Sequence, residues 1–157
     1  MKIYLTAAGI LIWACLVIMG ADFVNPNSYI SPVEDVRTFL VALKQILISK
    51  NYELDIIKRK NGEDPLDPCT TENTLASLSF DMEDVKNELL ALTEGNYLET
   101  MHDDKTPTYP PFWVFGKDVH KQTVYIKVKI RNKLANKVFC VSFHFPRHPL
   151  KTGPYTS

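Results

Sequence analysis

The sequence predicts an α+β domain, and three observations carry the prediction. Residues 112–145 hold three consecutive stretches with the two-residue alternation of β-strands. Earlier in the chain lie two long amphipathic stretches with helix-start signals, so helices concentrate in the first part and strands in the last. At 157 residues and 45% hydrophobic content, the chain has room for one core and no second domain.

From its start, the chain reads Met1-Lys2 and then Ile3 to Ala21, an uncharged and almost wholly apolar run. That run has the form of a secretory signal, cleaved after Gly20 or Ala21, or of a short membrane anchor. Translation from Met19 would instead remove it as a start-site artefact. The expected division is a leader over 1–21, a folded domain over 31–150 and a tail over 151–157.

Ser31-Pro32-Val33-Glu34 predicts a capping box with proline at the first helical position. Val33, Val36, Phe39, Leu40, Leu43, Ile46 and Leu47 follow at helical spacing, reaching about Ser49, as a helix that covers a sheet. Tyr52 to Lys58 alternates in part and reads as a strand, with a turn at Asn61-Gly62. The run Lys58-Arg59-Lys60 can touch phosphate or be simply solvated. After an irregular loop, Thr71 to Leu78 forms a short helix, and Asp81 caps a longer one over Met82 to Leu92 that Thr93-Glu94-Gly95 ends. Tyr97 to Met101 is extended, and His102 to Pro111, with three prolines, forms a flexible connector.

The three strands come next. Phe112 to Phe115 ends at Gly116-Lys117. Thr123 to Ile130 places Val124, Ile126, Val128 and Ile130 on one face and Tyr125, Lys127 and Lys129 on the other. Val138 to Phe145 places Phe139, Val141, Phe143 and Phe145 on one side and Cys140, Ser142 and His144 opposite. With both apolar faces in one core, Tyr125, the lysines and His144 share an open sheet surface.

Charge supports a polyanion at that surface. Lysines and arginines balance acids at 18 each, yet residues 117–157 carry nine of the cations against Asp118 alone. The bland alternative is a solvated sheet that uses lysines against aggregation. Lys127, Lys129, Arg131 and Arg147 are the candidate phosphate contacts, since that role needs only charge and reach. Trp113, beside Phe112 and Phe115, is expected in the core.

Other chemistries are excluded by spacing. Cys15, Cys69 and Cys140 form no paired framework, which suits a reducing compartment. Cys140 and His144 are four residues apart along a strand, about 13 Å, too far for a thiol and its base. His144 and His148 would pair on zinc only on a helix, which Pro146 and Pro149 oppose, so no metal site is expected. There is no glycine-rich phosphate loop, and no small-molecule cofactor is expected.

The strings Trp113-Val114-Phe115-Gly116-Lys117, Val124 to Ile130 and Cys140 to Phe145 resemble the MqsR-type toxins of bacterial type II toxin-antitoxin systems, within the RelE-like mRNA interferases. The resemblance runs over roughly Ser31 to Leu150. It implies N-terminal helices packed on a twisted, mainly antiparallel sheet. It also implies metal-independent mRNA cleavage, with mRNA, a cognate antitoxin bearing a helix-turn-helix domain, and the ribosome as partners. The family's active-site positions fall at Glu99, Val114, Tyr125 and His144, of which Tyr125 alone keeps the family residue. His144 is the candidate catalytic substitute for a lysine and Lys117 the candidate for the missing positive charge, beside Tyr125. Such an enzyme works in the cytoplasm, which fits translation from Met19. The alternative from another class is an exported or membrane-anchored, non-catalytic binding domain with the same fold.

Overall fold

The computed structural model describes residues 26–156. The leader expected over residues 1–21 lies outside them. Among the described residues, no helix is long and apolar enough to cross a membrane.

Six strands form one sheet: β1 (Ser28–Tyr29), β2 (Glu53–Ile56), β3 (Tyr97–Met101), β4 (Phe112–Val119), β5 (Gln122–Asn132) and β6 (Lys137–His144). Their order across the sheet is β1-β3-β4-β5-β6-β2, antiparallel at every junction except β6 with β2, which is parallel. Among the described residues three α-helices, α1 (Val33–Leu47), α2 (Thr71–Leu78) and α3 (Met82–Leu90), complete the α+β domain.

Local signals account for most element ends. Asp81 Oδ1 accepts from the backbone N–H groups of Glu83 and Asp84 at 2.8 and 3.0 Å, and Asp84 Oδ2 accepts from the Asp81 N–H at 2.9 Å, a complete capping box at the start of α3. The β4–β5 hairpin turns on His120 and Lys121, both with positive φ, the backbone twist that a two-residue hairpin requires.

The box expected at Ser31 does not form. Pro32 is the N-cap, its carbonyl accepting from Asp35 and Val36, and no side chain caps α1. Ser31 instead belongs to a buried polar cluster: its N–H donates to the Tyr97 hydroxyl at 2.9 Å, and its Oγ lies 2.8 Å from Thr100 Oγ1. A tertiary partner has outcompeted the local one.

The core lies between the helices and one sheet face. Phe39 of α1 stacks on Trp113 at 4.6 Å and reaches Phe115 at 6.2 Å, with Val124, Ile126 and Val128 alongside. Trp113, expected in the core, thus packs against it while remaining partly buried. α2 does something further. β2 pairs with β6 only through Cys140, and beyond that point Thr71 Oγ1 and Thr74 Oγ1 accept from the N–H groups of Phe143 and Phe145 at 3.3 and 3.0 Å. Two threonine hydroxyls stand in for the missing strand, so the end of β6 keeps its backbone donors satisfied.

Two strand expectations and one for the connector need correction. β4 continues through Gly116 to Val119, because Gly116 pairs with Tyr125 and leaves room for Leu150 and Leu98 above it. β6 does not alternate simply: Lys127 pairs with Ser142 and Val128 with Cys140, so Val141 is an extra, unpaired residue. This bulge reverses the parity. Val138 and Cys140 point into the core, Phe139 and Val141 do not, and Phe143 returns to the core with His144 opposite. The connector over 102–111 is tied down by Asp103, which accepts from the N–H groups of Lys105 and Thr106 at 3.1 and 3.2 Å.

The C-terminal residues also pack. Tyr155 stacks on Tyr97 at 5.8 Å and donates to the Ser31 carbonyl at 2.7 Å. Gly153 passes so close to β3 that a Cβ there would stand 2.4 Å from the Tyr97 carbonyl oxygen. Gly153→Ala is expected to cost about 1–3 kcal/mol, because two backbones must separate. Thermal denaturation checks this, and an unchanged Tm would show that the segment contributes nothing.

Candidate functional site: the open face of the sheet

Helices cover one face of the sheet; the chemistry lies on the other. Tyr125 of β5 and His144 of β6 are direct cross-strand partners, and their rings stack with centroids 5.4 Å apart at 29°. Two residues along each strand comes the next pair, Lys127 and Ser142, about 7 Å further on. Across β4 the same row continues through Val114, opposite Lys127, to Glu99, opposite Val114.

Tyr125, His144 and Lys127 are each tuned by their surroundings. Burial pushes the Tyr125 phenol up to about 12, and the Glu99 carboxylate adds to the effect, so Tyr125 keeps its proton. Burial pulls His144 below its ordinary value, with the Lys60 charge also acting in that direction. At neutral pH the imidazole is therefore uncharged. His144 Nδ1 lies 3.0 Å from the Phe145 carbonyl oxygen. A carbonyl can only accept, so Nδ1 carries the hydrogen and Nε2 the free lone pair. Lys127 is likewise lowered by burial and by Lys60, and its ammonium lies over the Phe112 ring at 4.8 Å.

The position of His144 depends on α2, since Phe143 and Phe145 on either side of it donate to Thr71 and Thr74. Thr74→Val keeps the shape but leaves the Phe145 N–H without its acceptor. We expect a destabilisation of about 1–3 kcal/mol and a shifted His144 imidazole resonance in NMR spectra. A resonance at its wild-type position would deny Thr74 a positioning role.

The structure brings together Tyr125, His144 and Lys127 of the residues singled out in the sequence. Lys117 is elsewhere: it pairs with Val124, which places it on the helix-covered face, and its ammonium forms an ion pair with Glu88 of α3. Lys129 is only 2% exposed, bonded to Asp103 at 2.6 Å and lying over Phe112 at 4.4 Å and Tyr109 at 5.3 Å. Buried and neutralised, it holds the connector against the sheet. Arg131 stacks on Phe139 at 4.1 Å and meets Asp55 at 3.3 Å. Arg147 pairs with Asp67 and, at 3.7 Å, with Glu63; both arginines remain about half exposed.

Two residues enter the site that the strand pattern could not supply. Lys60, from the loop after β2, donates from Nζ to Ser142 Oγ at 3.1 Å. The run Lys58-Arg59-Lys60 was its only trace in the sequence. The second is Glu99, which faces the cations from β3. Cys140 shares the strand with His144 but not the face: it is fully buried on the core side, its thiol pushed up to about 12 by burial.

One sheet face sealed by helices and the other carrying a histidine, a tyrosine and lysines defines a small α+β domain with an ionisable row on its uncovered face. The family model described as motility quorum-sensing regulator, toxin of MqsA, matches residues 50–145, and the chain belongs to that family. The match runs from just before β2 to the residue after His144, so it contains every residue of the row described above. No curated protein sequence matches the chain.

Proposed function

We propose that this chain is the toxin of a type II toxin-antitoxin pair and cuts mRNA without a metal. The observation that carries the reading is the stacked Tyr125–His144 pair, with the free lone pair of the imidazole on Nε2. RNA cleavage needs a base for the 2′-hydroxyl, charge beside the phosphorane and an acid for the leaving 5′-oxygen. His144 Nε2 takes the 2′-hydroxyl proton as that oxygen attacks phosphorus. The Tyr125 phenol, still protonated, gives its proton to the 5′-oxygen as the P–O bond breaks. The products are a 2′,3′-cyclic phosphate and a free 5′-hydroxyl, and Lys127 offsets the charge that develops between. Arg147 and Arg131, held in exposed pairs of small net strength, can exchange their carboxylates for flanking phosphates.

Membership of a family described as the toxin of MqsA supports an antitoxin partner, with a helix-turn-helix part, that neutralises the chain by binding. A cytoplasmic site of action follows if translation starts at Met19. Glu99 and Val114 favour a second reading, a non-catalytic binding domain, because each places a residue unsuited to phosphate beside Lys127.

Induced expression in a bacterial host, from Met1 and from Met19, separates the two. Growth arrest with loss of intact mRNA, relieved by His144→Ala or Tyr125→Phe, supports the nuclease. Normal growth and intact mRNA at good soluble expression would remove it in favour of the binding domain.

A further inference from the structure

Two lysines approach the same hydroxyl-bearing position from different parts of the chain. Lys127 stands directly opposite Ser142 on β5, and Lys60 reaches Ser142 Oγ from the loop after β2, 82 residues away in sequence. Among the described residues, neither ammonium has a carboxylate within salt-bridge distance, whereas the neighbouring Lys129, Arg131 and Arg147 all do. Holding two like charges near one another is unfavourable: burial first and then the Lys60 charge lower Lys127, while Asp104, Glu99 and Asp103 act the other way from beyond ion-pair distance. An anion between them would relieve that repulsion.

We infer that Lys60, Ser142 and Lys127 form an oxyanion site that seats a phosphate group, one residue pair along the sheet from Tyr125 and His144. Ser142 is almost fully buried and its Oγ accepts from Lys60, which leaves the hydroxyl hydrogen to serve as a further donor, with Lys127 at the paired position of β5. The spacing of the two pairs, about 7 Å, places a phosphate held here within a nucleotide's length of the histidine lone pair. Lys60 thus supplies the positive charge that the sequence alone assigned to Lys117. As a component of catalysis this rests on the nuclease reading; as a phosphate site it does not.

The test therefore has two arms. Inorganic phosphate is titrated into the purified chain while the backbone amide resonances of β5 and β6 are followed by NMR. Saturable shifts around Lys127 and Ser142 are expected, about tenfold weaker in Lys60→Gln, largely restored in Lys60→Arg, and unaffected by Lys133→Gln in the exposed β5–β6 turn. Glutamine keeps a donor for Ser142, and an unchanged thermal melt excludes misfolding. In the second arm, a 2′-O-methyl RNA oligonucleotide, which cannot be cleaved, is bound at several salt concentrations. Removing one phosphate contact should reduce the salt slope of log Kd by about 0.7 in Lys60→Gln. Phosphate binding of equal strength in wild type and Lys60→Gln would overturn the site. Lys60-dependent phosphate binding in a chain that leaves RNA intact would uphold the site and remove the nuclease reading.

Discussion

His144→Ala is expected to lower RNA cleavage by about 10²–10⁴-fold, the usual contribution of a positioned general base. The protein should remain folded, because the His144 side chain is only partly buried and its one hydrogen bond is to the adjacent Phe145 carbonyl. The wild-type pH profile carries a sharper signature. A base must be unprotonated to act, and His144 lies below its ordinary value of 6.5. The acid limb of the rate should thus titrate below 6.5, and it should disappear in any residual activity of His144→Ala. A limb at or above 6.5 would mean another group takes the proton. Stability follows the same sign: the unfolded chain binds the proton more readily, so the contribution is present above 6.5 and lost as pH falls through the folded value.

Asp103→Ala is expected to destabilise the fold by about 3 kcal/mol, the typical cost of orphaning one member of a buried ion pair. Lys129 is 2% exposed, and its ammonium has Asp103 as its carboxylate partner at 2.6 Å. Among the described residues its ammonium has no other salt-bridge partner, and beside it lie only the faces of Phe112 and Tyr109. For a domain of this size the loss corresponds to a fall in Tm of about 10 °C. The double variant Asp103→Leu with Lys129→Met should recover most of that loss, because two apolar side chains of similar volume need no pairing. If the single and double variants melt together, the pair is not what holds the connector. The carboxyl of Asp103 lies below the usual range, chiefly through its bond to Lys129, so this contribution is present at neutral pH and fades as the carboxyl protonates in acid.

Much of the fold was legible because local rules and tertiary packing agree. The β5 alternation, the Asp81 cap, the short helix at Thr71–Leu78 and the strand at Tyr97–Met101 all lie where the residues placed them. The departures share one cause, a tertiary partner invisible to a local pattern. Ser31 carries a perfect cap sequence but is drawn to Tyr97 and Thr100. Counting by twos along β6 fails at Val141, since nothing in Cys140-Val141-Ser142 announces a bulge. Lys117 was expected near Tyr125, yet the uninterrupted pleat through Gly116 turns it to the helices. Of the site, Tyr125, Lys127 and His144 were readable from strand periodicity. Lys60 was not, because a lysine in a charged run gives no sign of which of its neighbours is a serine 82 residues on.

The parallel pairing of β2 with β6 also sets an order of events during synthesis. β2 is complete by residue 56, but its strand partner among the described residues spans 137–144, and the Lys60–Ser142 contact joins the same distant segments. Contacts separated by most of the chain form late and slowly, since a long loop must close before they are made. Until β6 has emerged from the ribosome, Tyr125 has no ring to stack on and Lys127 has no serine opposite. A partly made chain therefore lacks both the Tyr125–His144 and the Lys127–Ser142 pairs, and the row is assembled only when the final strand docks.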